Sequence, residues 1–197
     1  MGMVVDQGRL IIRRMRDEPQ DYEQMVRWCN RPHVREWWDP DESDLSLEDA
    51  VRQYGPRTRD GSATTACIIE WAGAPVGYIQ FYPWAAYEED VRAMGLPATT
   101  GSWGLDVFLG EPELIDRGIG SAAVDLLCGY LFAARDASSV MLAVAIENGR
   151  AIRAYEKAGF LRAGMVLDVD IKGGERIPSW LVVRKQDGLA SEGQGQH

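Results

Sequence analysis

Histidine, cysteine and lysine are scarce in this 197-residue chain: two His, three Cys and three Lys, against 18 Arg. With only His33 and His197 present, a histidine-rich metal site is excluded. A Ser-His-Asp triad would have to use His33, and the GxSxG turn that presents such a nucleophile is absent. Cys29, Cys67 and Cys128 are odd in number, far apart and without a CxxC pair, so neither a zinc site nor a disulfide framework is expected. No apolar run approaches the roughly 18 residues of a membrane span. The opening MGMVVDQGRL lacks the basic start, apolar stretch and cleavage site of a secretory signal. These absences point to a soluble, cytoplasmic protein in a reducing setting, with no metal.

What is present is ordinary for a globular domain, at 46% hydrophobic and 26% charged residues. A chain of this length buries roughly 70% of its unfolded surface and needs no crosslink to hold a core. The sum of 21 basic and 30 acidic side chains is −9, which argues against broad nucleic-acid binding and is compatible with a cationic partner. Charge alone says nothing stronger, since a solubility charge would look the same. The expected organisation is a flexible start over 1–7, a single domain over 8–186, and a frayed tail, DGLASEGQGQH, over 187–197.

Within that domain the hydrophobic period switches repeatedly. Leu10-Ile11-Ile12 reads as a short strand. Tyr22, Met25, Val26 and Cys29 recur at helical steps over 19–30, between Pro19 and Pro32. Ser46, Glu48 and Asp49 start a second helix, which Gly55-Pro56 is expected to close. Strands follow at 64–71 and 75–82, then a long loop over 84–101 with room for a short helix, a strand at 103–109 and a helix from about 118 to 134. Its expected buried side is Ile119, Ala122, Ala123, Leu126, Leu127, Tyr130 and Leu131. A strand at 139–146, a helix at 148–158, and strands at 161–170 and 176–185 joined by Gly173-Gly174 complete the chain. The order predicts a mixed α/β (α+β) domain with a mostly antiparallel central sheet and helices on both faces.

Two segments carry chemistry. In WGLDVFLGEPELIDRGIGSAAVDLL, a strand bearing Asp106 leads to Arg117-Gly118-Ile119-Gly120-Ser121 at a helix start. Glycines there let backbone approach a ligand, and the free N–H groups of a first helical turn favour an anion. GxxxxGK[ST] is absent and GxGxxG incomplete, so the segment is either an anion-binding loop of another kind or a tight turn. In the second segment, from Glu147 to Phe160, Asn148 can cap a helix and Tyr155 sits two turns later on the same face, either buried for structure or placed for function.

In this order and spacing the two segments resemble the GNAT superfamily of acetyl-CoA-dependent N-acetyltransferases. RGIGS at 117–121 is similar to its [QR]xxGx[GA] loop, with Ile115 at the first position. N-x-x-A-x-x-x-Y-E-K-x-G-F is met from Asn148 to Phe160. The resemblance implies acetyl-CoA as cosubstrate, held by Val107, Phe108, Leu109, Arg117, Gly118, Ile119, Gly120, Ser121, Asn148 and Tyr155. It makes Tyr155 the donor to the departing thiolate.

A third stretch bears on the acceptor. Asn30-Arg31-Pro32-His33-Val34-Arg35-Glu36-Trp37-Trp38-Asp39 precedes Asp41, Glu42 and Asp44. Adjacent aromatics and carboxylates suit ammonium groups, although a hydrophobic anchor beside a solvated loop would read alike. This pattern, the strand PVGYIQFY at 75–82 and Gly104-Leu105-Asp106 resemble the aminoglycoside 6′-N-acetyltransferase branch, whose relatives include kasugamycin 2′-N-acetyltransferases. The resemblance implies a polycationic aminoglycoside acceptor, no nucleic acid or membrane partner, and a monomer or homodimer. Asp106 becomes the base or amine-orienting carboxylate, and Glu36, Trp37, Trp38, Asp39, Gln80, Tyr82 and Trp103 join it in the acceptor pocket. His33 is expected to pack. Val107-Phe108 replaces the branch's Gln-Ser, and Ala143 stands where the branch has Asp. An aromatic lining of Trp84, Tyr87, Trp103 and Trp180 is expected to favour a smaller acceptor with fewer amines. The alternatives are acetylation of a siderophore lysine or protein N-terminus, or an idle CoA-binding module.

Overall fold

The computed structural model describes residues 3–38, 44–97, 99–169 and 176–186. Asp39, Asp41, Glu42, the Gly173-Gly174 turn and residues 187–197 lie outside the described residues. Eight strands form one sheet: β1 (Met3–Gln7), β2 (Leu10–Arg14), β3 (Thr65–Trp71), β4 (Ala74–Pro83), β5 (Ser102–Leu109), β6 (Ser139–Ala145), β7 (Leu161–Val169) and β8 (Arg176–Lys185). Their spatial order is β1-β2-β3-β4-β5-β6-β8-β7, antiparallel throughout except for β5 with β6. The helices are α1 (Pro19–Cys29), α2 (Pro32–Arg35), α3 (Leu47–Thr58), α4 (Glu88–Ala93), α5 (Ile119–Ala134) and α6 (Gly149–Lys157).

The sheet separates two cores, and β3 shows how. Cys67 and Ile69 point to one face, against α5 and α6, while Ala66 and Ile68 point to the other, against α1 and α3. A strand buried on both faces loses polar alternation and reads as the continuous apolar run found here. The first core gathers Leu127, Leu131, Val140, Phe81 and Phe160; the second gathers Tyr22, Met25, Trp28, Tyr54 and Tyr78. Cys29, Cys67 and Cys128 are all buried, and burial pushes the thiols of Cys67 and Cys128 up to about 12. Among the described residues no helix is long and apolar enough to cross a membrane.

Several expectations change. Residues 3–7 pair with β2 instead of forming a loose start. The stretch after β4, where a short helix had room, is a 3-10 turn at Trp84–Tyr87 followed by that helix, α4. Helix α3 opens on a capping box between Ser46 and Asp49, as its sequence suggests, but continues through Gly55-Pro56 to Thr58. Gly55 is buried where a Cβ would stand 3.2 Å from the Tyr22 hydroxyl, so tertiary packing against α1 keeps it helical. The Thr58 hydroxyl then donates to the Gly55 carbonyl at 2.8 Å and closes the turn. On α5 the buried residues are Ile119, Ser121, Ala123, Val124, Leu127, Cys128 and Leu131, with Leu126 and Tyr130 packed partly buried against the core, whereas Ala122 is exposed.

The feature that positions the site is the short contact between β5 and β6. They pair only at Ser102 with Ser139 and Trp103 with Val140. Beyond that point β5 pairs with β4 alone and β6 with β8 alone, so the sheet splits down its middle.

Candidate active site

One cavity of about 970 Å³ fills the split. Its walls include Asp106, Val107, Phe108 and Leu109 from β5, and Leu142, Ala143, Val144 and Ala145 from β6. At the splayed stretch each strand turns an edge with unspent N–H and C=O groups toward the gap, a surface able to pair with an amide-bearing chain.

At one end the cavity meets the N-terminus of α5. Gly118 has φ +81 and precedes the helix without a side-chain cap. This left-handed conformation costs a non-glycine residue strain. Around the position of a Gly118 Cβ nothing lies within 4 Å, and at Gly120 only the Leu109 side chain comes within reach, at 3.8 Å. The first intrahelical amide bond is Ala122 N to Gly118 O, so the N–H groups before it are left to point outward. An anion fits this cradle. Ser121, Asn148, Arg150, Arg153 and Lys157 also line this half. The Asn148 side chain accepts from Ala151 N at 3.0 Å, capping α6.

At the other end lies Asp106. Its carboxylate Oδ2 accepts from Gln80 Nε2 at 2.7 Å. Gln80 Oε1 in turn accepts from Arg57 Nη1 at 2.7 Å and from the Tyr78 hydroxyl at 2.9 Å. Tyr82 is a further hydrogen-bond partner of Asp106. Gly104, opposite Tyr82 in the ladder, makes that possible: a Cβ there would overlap the Tyr82 ring. Asp106 opens onto the cavity but lies deep below the outer surface, and burial raises its pKa. The bonds from Gln80 and Tyr82 and the charge of Arg57 oppose that rise; Asp168 adds to it. Tyr155, on α6, is buried, and burial together with the negative charge of Asp106 raises its phenol well above the ordinary value. The proton therefore stays on Tyr155 at neutral pH, as a proton donor requires.

The structure gathers most of the residues singled out in the sequence. Glu36, Trp37, Trp38, Gln80, Asp106, Val107, Phe108, Leu109, Gly118, Gly120, Ser121, Asn148 and Tyr155 all line the cavity. Trp38 also anchors the second core, edge-on to Phe108 at 4.8 Å and donating to the Tyr54 hydroxyl at 2.9 Å. His33 faces the cavity, with its ring nitrogen 3.1 Å from the Leu109 carbonyl. Tyr82 touches Asp106 without lining the cavity itself.

Other positions fall elsewhere. Ile119 is buried in the core and Arg117 is exposed outside the lining. Trp103 sits where β5 and β6 are still paired, tilted against Phe81 at 5.9 Å, so it does not reach the split. The aromatic lining expected from Trp84, Tyr87, Trp103 and Trp180 is not formed. Trp84 is buried, Tyr87 packs on Tyr82, and Trp180 lies under Arg162.

The sequence reading missed Arg57, Asp168, Arg150, Arg153 and Lys157, which all line the cavity. The three on α6 had a signal, since positions 150, 153 and 157 share a helical face. Arg57 and Asp168 had none, because only the packing of α3 and β7 brings them to Asp106. Among the described residues no group of three or more His, Cys, Asp or Glu could hold a metal ion.

Residues 17–167 match the acetyltransferase (GNAT) domain family. Aminoglycoside N(6′)-acetyltransferase type 1 of Klebsiella pneumoniae is 32% identical over 157 residues, 76% of this chain and 74% of that protein. A lysine N-acyltransferase, MbtK of Mycobacterium tuberculosis, is 26% identical over 113 residues, 57% of this chain and 50% of that one. Among solved structures, AAC(6′)-Ib in complex with ribostamycin and coenzyme A superposes with a TM-score of 0.73 at 28% identity, covering 94% of this chain and 100% of that one.

Proposed function

The chain belongs to the GNAT acetyltransferase family, and on that premise we propose that it transfers the acetyl group of acetyl-CoA to an amine of an aminoglycoside, conferring resistance to the antibiotic. The observation that carries this reading is the single cavity that joins two unlike ends. The splayed strands and the Gly118 cradle suit a pantetheine arm and pyrophosphate. The far end offers Glu36, Trp37, Trp38, Asp106 and Asp168 to a cationic acceptor.

Asp106 orients the attacking amine and takes its proton as the C–N bond forms on the thioester carbonyl. Tyr155 gives its proton to sulfur as the C–S bond breaks, and solvent restores it. The strand edge at Val107–Leu109 aligns the pantetheine amides. The amides of Gly118, Ile119, Gly120 and Ser121, with Arg150, Arg153 and Lys157 from α6, hold the phosphates. The acetylated position is the 6′ amine or, in a smaller acceptor such as kasugamycin, the 2′ amine. Ala143 supports the smaller acceptor, because a carboxylate that larger aminoglycosides would use is missing from β6.

The test is CoASH release with acetyl-CoA and a panel of kanamycin, tobramycin and kasugamycin, with mass spectrometry locating the added acetyl group. Acetyl-CoA binding by calorimetry with no turnover across the panel would sink the reading in favour of an idle binding module. Turnover of a lysine side chain in preference to the panel would move the chain to the siderophore-type reaction.

A further inference from the structure

A glutamine amide can face either way, but Gln80 has one workable orientation. Arg57 Nη1 stands 2.7 Å from its Oε1, and an arginine can only donate. The Tyr78 hydroxyl adds a second donor to the same oxygen at 2.9 Å. Turning the amide over would set Nε2 against the Arg57 donor and Oε1 against a carboxylate. So Arg57 holds the carbonyl end, and Nε2 must donate to Asp106 Oδ2, at 2.7 Å. Arg57 is itself fixed on the last turn of α3, its guanidinium carbon 5.2 Å from the centre of the Tyr54 ring. Tyr54 is fully buried.

We propose that Arg57 is a positioning residue: through Gln80 it fixes one oxygen of Asp106 toward the acceptor amine, and it sets a cation beside that carboxylate. The groups that bear on Asp106 come from four elements. Gln80 and Tyr82 reach it from β4, Arg57 from α3, Tyr155 from α6 and Asp168 from β7. Burial and Asp168 favour its protonated form, which could not take a proton from an amine. Arg57 supplies the positive charge on the other side of that balance. Removing it leaves Gln80 free to turn and Asp106 facing Asp168 with less compensation. Arg57 thus places a cation in the half of the cavity proposed for a cationic acceptor.

The inference rests on the acetyl-transfer reading of Asp106, but its decisive measurement needs no turnover. Carboxyl ¹³C NMR titration of Asp106, assigned by its loss in D106N, is compared among the wild-type protein, R57M and R57K. R57M is expected to raise the Asp106 pKa by about one unit, a tenfold change in its ionisation constant. R57K, which keeps the charge, restores most of the wild-type value. With an aminoglycoside that the protein turns over, the acid limb of kcat/KM rises by the same interval. In the pH range below the limb kcat/KM for the aminoglycoside falls about tenfold while the KM for acetyl-CoA is unchanged. An Asp106 titration that is unmoved in R57M, in protein that still binds acetyl-CoA, overturns the proposal. Should R57M lose acetyl-CoA binding, Q80M is read in the same titration: a raised Asp106 pKa supports the relay, and an unmoved one overturns it. A wild-type protein that acetylates no aminoglycoside defeats the functional reading and leaves the titration to decide the role of Arg57.

Discussion

The two ends of the cavity are built from different material. The end at Gly118 is mostly backbone: a left-handed glycine, the first amides of α5, and the parted edges of β5 and β6. The acceptor end is mostly side chains, converging from α2, α3, β4, β5 and β7. Backbone binds what all members of a family share, since peptide groups do not change with sequence. Side chains bind what differs, and each can be exchanged alone. The charges that set the chemistry of Asp106 arrive from distant parts of the chain.

If the ends are separable, changes at one should leave the other intact. The largest effect is expected from Asp106→Asn. CoASH release should fall by about 10²–10⁴, the contribution of a lost acid–base group, while calorimetry shows acetyl-CoA binding as in the wild type. A parallel loss of binding would break the separation. Tyr155→Phe is expected to lower kcat by about 10² with little change in the KM of the acceptor, because the proposed role of the phenol is to protonate the leaving thiolate. The pH profile sharpens both: activity should disappear as pH falls through the pKa of Asp106, which burial raises above that of a free aspartate, since the base works only when ionised.

Gly118→Ala reverses the comparison. Its φ of +81 imposes strain on any side chain, roughly 1–2 kcal/mol. Acetyl-CoA should bind about tenfold more weakly, with the KM of the acceptor unaffected. The smallest effect is expected from Ala143→Asp, which adds a carboxylate to the β6 wall. The KM of an amine-rich aminoglycoside should drop about fivefold, on the order of 1 kcal/mol for one added pair, and the gain should shrink with salt. No gain for kanamycin relative to kasugamycin would remove Ala143 from acceptor selection.

Helices α1, α5 and α6 and strands β3 to β8 were legible because their periods and caps are local. Asn148, seven residues before Tyr155 and eleven before Gly159, contains a cap, a face and a stop in one stretch. Strand β1 was not legible, because MVVDQ is too short to declare itself without the partner β2. The Gly55-Pro56 pair was misread as a helix end for the same kind of reason: only contact with Tyr22 shows what that glycine is for. The aromatic lining failed because an aromatic reports burial more readily than function. Trp84 and Trp103 fill cores, and Trp38 serves both the second core and the cavity.

By itself the sequence determined the family, and it singled out the glycine turn at 117–121, Asp106 and Tyr155 as candidates, since each lies in a short run whose spacing the backbone enforces. It could not show that the strand bearing Asp106 parts from β6 just beyond Trp103, or that Gln80 links Asp106 to Arg57. Those depend on register between strands and on helix packing across the sheet. Such contacts join positions 23, 26 and 62 residues apart in the chain, namely Arg57 with Gln80, Gln80 with Asp106, and Asp106 with Asp168. No local pattern encodes such a meeting; the burial of two separate cores fixes it.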